Sequence, residues 1–68
     1  MSFYQVVRLP SNSIHGTIES SNREESDAIK YFNEIREKFK RDGTFVRDIK
    51  EDKFETTTDR WWWAYHNY

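Results

Sequence analysis

The chain has 68 residues, with 11 basic and 12 acidic side chains and a formal net charge of −1 at pH 7. That length allows a single domain, residues 1–68, and a chain so short buries only roughly 60% of the surface its unfolded form exposes. The near-neutral balance leaves no global surplus for phosphate neutralisation, and the absence of cysteine excludes disulfides, thiolate catalysis and Cys-based zinc sites.

Leu9 is the one leucine, and Val6, Val7 and Val46 are the only valines. The core must therefore come from Phe, Trp, Tyr and Ile, each buried aromatic removing about 150–250 Å² from water. The same aromatic content, with so little net charge, argues against disorder. The first residues lack a basic segment followed by an apolar run, so no signal peptide is read. No apolar stretch approaches the roughly 20 residues of a membrane helix, and a cytoplasmic location is expected. Phe, Tyr, Ile, Asn and Lys outnumber Gly, Ala and Pro, a composition compatible with AT-rich coding sequence such as that of low-GC bacteria and their phages.

Phe3 to Leu9 reads as a strand with apolar groups on both faces, which suits a central position, and Pro10 ends it. Pro10-Ser11-Asn12-Ser13 is turn chemistry. Ile14 to Glu19 fits a short second strand, weakened by Gly16. The helix has the strongest signals. Ser21 and Asn22 each precede a glutamate by three residues, as in a capping box. Glu24, Glu25 and Asp27 suit the positive end of the helix dipole, and Lys38, Lys40 and Arg41 the negative end. Gly43 fits the residue just past the helix. Between them Ala28, Phe32, Ile35 and Phe39 form an apolar stripe flanked by Ile29 and Tyr31. Glu34–Lys38 and Glu37–Arg41 are expected as i,i+4 pairs worth about 0.2–0.5 kcal/mol each.

Thr44 to Lys50 is the next strand, followed by a tight turn at Glu51-Asp52. Phe54 to Thr58 has strand propensity. Residues 53–66 are read as one long strand, bent near Asp59, with a loop over 51–59 as the alternative. The expected fold is α+β: a three- or four-stranded, mainly antiparallel sheet with one helix on one face, in the order β-(β)-α-β-β.

All three tryptophans fall in Arg60-Trp61-Trp62-Trp63-Ala64-Tyr65-His66. A strand sends successive side chains to opposite faces. If 53–66 runs unbroken, Trp62, Ala64 and His66 meet the helix and Trp61, Trp63 and Tyr65 face outward. A one-residue bulge at Asp59 exchanges the two sets. The outward version makes Arg60, Trp61, Trp63 and Tyr65 the candidate binding residues, with Arg8 and Arg47 framing them, since Trp, Tyr and Arg dominate interaction hot spots. The competing reading places all three tryptophans in the core.

His15 and His66 are far apart and show no metal-ligand spacing, and no nucleophile elbow, phosphate loop or dinucleotide fingerprint occurs. No catalytic residue, metal site, cofactor or small-molecule substrate is expected. The residues point first to a non-enzymatic protein-interaction module acting through the aromatic C-terminal strand, on a foreign partner or on itself as a homodimer. An accessory or inhibitor protein of a phage or other mobile element fits the size and composition. The alternative is single-stranded nucleic-acid binding by base stacking on the aromatic sheet face.

Overall fold

The computed structural model describes residues 2–67. Five strands form one antiparallel sheet: β1 (Ser2–Pro10), β2 (Thr17–Asn22), β3 (Phe45–Lys50), β4 (Lys53–Thr56) and β5 (Asp59–Asn67). Their order across the sheet is β2-β1-β5-β4-β3. One helix, α1 (Glu25–Asp42), packs on one face, so the fold is α+β, with five strands where three or four were expected. Among the described residues no helix is long and apolar enough to cross a membrane.

Helix α1 connects the two edge strands. Its 18 residues span about 27 Å at 1.5 Å per residue, more than the roughly 19 Å between the outermost strands of a five-stranded sheet. The helix therefore carries the chain from one edge to the other across a single face. Its apolar stripe lands as the spacing predicts: Ala28 and Phe32 are buried, and Tyr31, Ile35 and Phe39 are partly buried against the sheet.

The two helix ends differ. Gly43 adopts a left-handed conformation (φ 79°). Its N–H donates to the Lys40 carbonyl, and the Thr44 N–H donates to the Phe39 carbonyl. This is the double closure expected where a glycine ends a helix. The expected capping box at the other end is absent. Glu24 occupies the cap position and makes no side-chain cap hydrogen bond. Ser21 and Asn22 are instead consumed by β2, opposite Gln5 and Tyr4. The expected i,i+4 pairs do not form either: the helix's internal ion pair among the described residues is Glu37–Lys40, at 3.5 Å.

Residues 53–66 are two strands and not one. A two-residue turn, Thr57-Thr58, separates β4 from β5 and brings Phe54 opposite Trp61. The turn lacks glycine and asparagine. The Thr56 hydroxyl takes their place, accepting from the Asp59 N–H at 2.9 Å and donating to the Asp59 carbonyl at 3.2 Å. Such short hydroxyl-to-backbone bonds stabilise turns in the absence of a glycine.

The hairpin exchanges the two faces relative to an unbroken strand. Trp61 and Trp63 turn toward the helix, and Trp62 turns away from it. The core is Val6, Phe32, Phe54 and Trp61, with Tyr31, Ile35, Phe39, Phe45 and Trp63 around it. Phe54 is fully buried at its centre, with ring centroids 5.0 Å from Phe32, 5.9 Å from Phe45, 6.2 Å from Phe39 and 6.3 Å from Trp61.

Three strand irregularities complete the sheet. Glu19 is an extra residue in β2, and Val46 and Ile49 are extra residues in β3. Each bulge shifts the register by one on an edge strand. The shift in β3 sets Phe45 opposite Thr56, where an unbulged ladder sets it opposite Thr58.

Replacing Phe54 by Ala is expected to cost about 3–5 kcal/mol in urea unfolding. Trp61→Phe is expected to cost less than the Phe54 truncation, because the smaller ring leaves only a small cavity. The indole N–H of Trp61 is buried without a hydrogen-bond partner, so the substitution also removes an unmet polar group.

Candidate functional site on the outer sheet face

The helix covers one side of the sheet, and the other side carries rows of side chains set by the strand registers, including Ser21, Gln5 and Ala64 near the chain ends; two of the rows reach β4 and β3. The first row runs Ile18, Val7, Trp62, Lys53, Lys50 from β2 to β3. The second runs Leu9, Arg60, Glu55, Arg47 from β1 to β3. Residues directly opposite in an antiparallel sheet share a face, so these nine side chains form one surface. It grades from apolar on β2 and β1 to basic on β4 and β3, and the two halves meet at β5.

The second row is held by a shared carboxylate. Glu55 lies 3.3 Å from the Arg47 guanidinium and 3.6 Å from that of Arg60, with its own side chain only 20% exposed. One carboxylate neutralises one of the two cations. In the first row the Lys53 ammonium lies 5.6 Å from the centroid of the Trp62 ring, within cation–π range. Lys50 is exposed beside it. Four cations against one carboxylate make this patch positive on a chain whose net charge is −1.

The β1–β2 loop folds partly over the apolar half. A Cβ on Gly16 would lie 2.9 Å from Val7 Cγ1 and 3.7 Å from Trp62 Cη2. Only a residue without a side chain allows the backbone to come that close. Val7 is buried beneath it, whereas Ile18 stays 54% exposed and Leu9 and Trp62 are half-buried. The loop is anchored at its start, where the Ser11 N–H donates to the Thr58 carbonyl at 2.8 Å. Beyond that bond, Arg60 and Glu55 line a concavity of about 440 Å³ whose wall includes Leu9, Val46, Ser13 and Thr57.

The four residues singled out by the sequence do not share one surface. Arg60 is exposed on the outer face, while Trp61 is buried in the core at 6% exposure. Trp63 is half-buried on the helix side, where it lines a groove of about 470 Å³ with Ile29, Asn33, Arg36 and Glu51. Tyr65 is 53% exposed on that same side, its ring 5.1 Å from that of Tyr4. Of the two arginines expected to frame the aromatics, Arg47 joins the outer patch. Arg8 turns to the helix side opposite Trp61, where Glu19 at 3.0 Å and Asp59 at 3.8 Å hold it.

Trp62, Lys53 and Lys50 are the site residues that the sequence reading passed over. The signal that would have found them is the Thr-Thr-Asp sequence at 57–59, which is turn chemistry inside a run of strand-forming residues. Neither histidine lies within a metal-binding cluster: among the described residues no group of three or more His, Cys, Asp or Glu side chains is placed to hold a metal ion. No known family, curated protein or solved structure matches the chain.

Single Trp→Phe variants resolve the three indoles by quenching. Loss of Trp61 is expected to remove the most protected emission. Loss of Trp62 is expected to remove a component quenched more by iodide than by neutral acrylamide, because the anion concentrates at the surrounding cations. Equal quenching of Trp61 and Trp62 by iodide contradicts the assignment of faces. Gly16→Ala is expected to destabilise the chain by about 1–3 kcal/mol, as overpacking does, measured by thermal or urea unfolding.

Proposed function

We propose that the chain is a non-enzymatic protein-interaction module whose contact surface is the outer face of the sheet, with Trp62 at its centre and Arg60, Arg47 and Lys53 around it. The observation that carries the reading is the coincidence of a half-buried tryptophan with two arginines oriented by one carboxylate on a face with no helix. Tryptophan and arginine are the side chains that most often dominate binding energy at interfaces. Glu55 pre-orders both guanidiniums, which lowers the entropy lost when a partner engages them.

The contact strand remains the aromatic β5, and Arg60 remains in the site. The contribution of the other residues changes with the faces. Trp61 supports the site from beneath through the core, while Trp63 and Tyr65 offer a smaller patch on the helix side. Self-association is one form the proposal takes. A cytoplasmic setting belongs to it as well and rests on a cysteine-free sequence.

Single-stranded nucleic-acid binding is the second reading, and the cluster of Arg47, Lys50, Lys53 and Arg60 favours it. Two features weigh against base stacking. Lys53 already occupies one face of the Trp62 ring, and the Gly16 backbone approaches its edge. Glu55 also places a negative charge in the middle of the patch.

The test is affinity capture from cell extract by the wild type and by Trp62→Asp, followed by titration with the purified captured protein. Saturable binding that falls at least about tenfold, or 1.4 kcal/mol, in Trp62→Asp supports the reading. Binding unchanged by the substitution, or capture that nuclease abolishes, overturns it. Light scattering over a concentration series decides self-association: a constant monomer mass removes it.

A further inference from the structure

We infer that the partner presents an extended acidic–apolar segment that lies across the strands. Its apolar part sits over β2 and β1 and its carboxylates over β4 and β3. This rests on the interaction surface proposed above and adds the chemistry and direction of what binds there.

The two rows form a gradient of charge across the sheet. The accessible apolar side chains of the two rows, Ile18 and Leu9, carry no charge and stand on β2 and β1, with Val7 buried beneath the loop between them. Lys53, Lys50 and Arg47 stand on β4 or β3. Trp62 and Arg60 lie between, on β5: the second row is basic from Arg60 onward apart from Glu55, and the first becomes basic one strand later, at Lys53. Adjacent strands are about 4.8 Å apart, so the five strands span roughly 19 Å. An extended segment of about six residues covers that distance at about 3.3 Å per residue.

The basic half is complementary to carboxylates in geometry as well as sign. Glu55 engages Arg60 through Nε and Arg47 through one terminal nitrogen. A guanidinium carries five N–H donors in a planar fork. Each arginine therefore keeps donors for a second carboxylate while the first holds it in place. Lys50 and Lys53 stand opposite each other at the β3–β4 turn, a like-charge pair that costs stability in the free chain and that an acidic partner relieves. Next to the arginines, the concavity of about 440 Å³ has Leu9, Val46, Ser13 and Thr57 on its wall, with Glu55 and Asp59. It can take one apolar or small polar side chain of the segment.

A nucleic-acid strand meets the basic half equally well, but the aliphatic Ile18 and Leu9 of the other half offer its bases no ring to stack on. The gradient therefore favours a polypeptide over a nucleic acid.

The experiment is selection of a random dodecapeptide display library on the immobilised full chain, with the best synthetic peptide then titrated by fluorescence. The expected winners carry two or more Asp or Glu residues at one end and Leu, Ile, Phe or Trp at the other. Their affinity should fall about tenfold or more in Arg60→Glu and in Arg47→Glu, and between low and high salt. Lys38→Glu, a reversal on the helix, should leave it unchanged, and far-ultraviolet circular dichroism confirms folding of each variant. Neutral or basic winners whose binding still depends on Trp62 overturn the acidic segment and leave the interaction surface standing. No enriched peptide, with tight binding of a twelve-nucleotide oligo-dT instead, overturns both. No enriched peptide and no oligo-dT binding overturns the acidic segment.

Discussion

Nine residue pairs join β1 to β5, from Ser2 opposite Asn67 to Pro10 opposite Asp59. They bring the two ends of the described chain into the middle of the sheet. Every other strand contact is local, in the β1–β2 hairpin or the β3–β4–β5 meander. A two-stranded hairpin alone is marginal in water, and the meander alone lacks Val6, the valine that joins Phe32, Phe54 and Trp61 in the core. Closing the long loop between β1 and β5 costs entropy before any core contact repays it. Once made, that pairing completes the core and the outer surface together, because Val6 opposite Trp63 serves one face and Val7 opposite Trp62 serves the other. The outer face and the core are thus two sides of the same ladder.

Much of this fold is legible in the residues. The helix stripe, its glycine stop and the tight turn at Glu51-Asp52 follow from periodicity and turn chemistry, while the second strand, expected over Ile14 to Glu19, runs Thr17–Asn22. Two features are hidden for a physical reason. The Thr57-Thr58 turn depends on one buried hydroxyl, Thr56 Oγ1, bonding to the Asp59 backbone. Threonine favours strands and also forms such bonds, so the sequence by itself does not say which role wins. The missing capping box has a similar origin. Ser21 and Asn22 have cap chemistry, but pairing with β1 satisfies more backbone groups than a cap would.

Part of the candidate surface is legible in the residues: the aromatic run and Arg60 stand out in the sequence, and Arg60 lies exposed on the outer face. Which indoles face outward depends on strand parity, and parity is discrete: one turn moves every side chain of β5 to the opposite face. Three consecutive tryptophans make that choice invisible to any hydrophobic pattern, since both faces look equally apolar. The asymmetry appears only across strands, where Phe54 stands opposite Trp61 and Lys53 opposite Trp62. Long-range pairing, and not the local sequence, separates the core indole from the surface one.

The bulges at Glu19, Val46 and Ile49 all fall on the outermost strands. An unbroken edge offers a row of free N–H and C=O groups to any other strand, and an irregular one does not. Both margins of this sheet are therefore poor templates for continuation. At high concentration the molecule has an apolar, aromatic-rich sheet without the flat borders from which fibrils extend. The broad outer face, and not an edge, is then the open surface of the sheet.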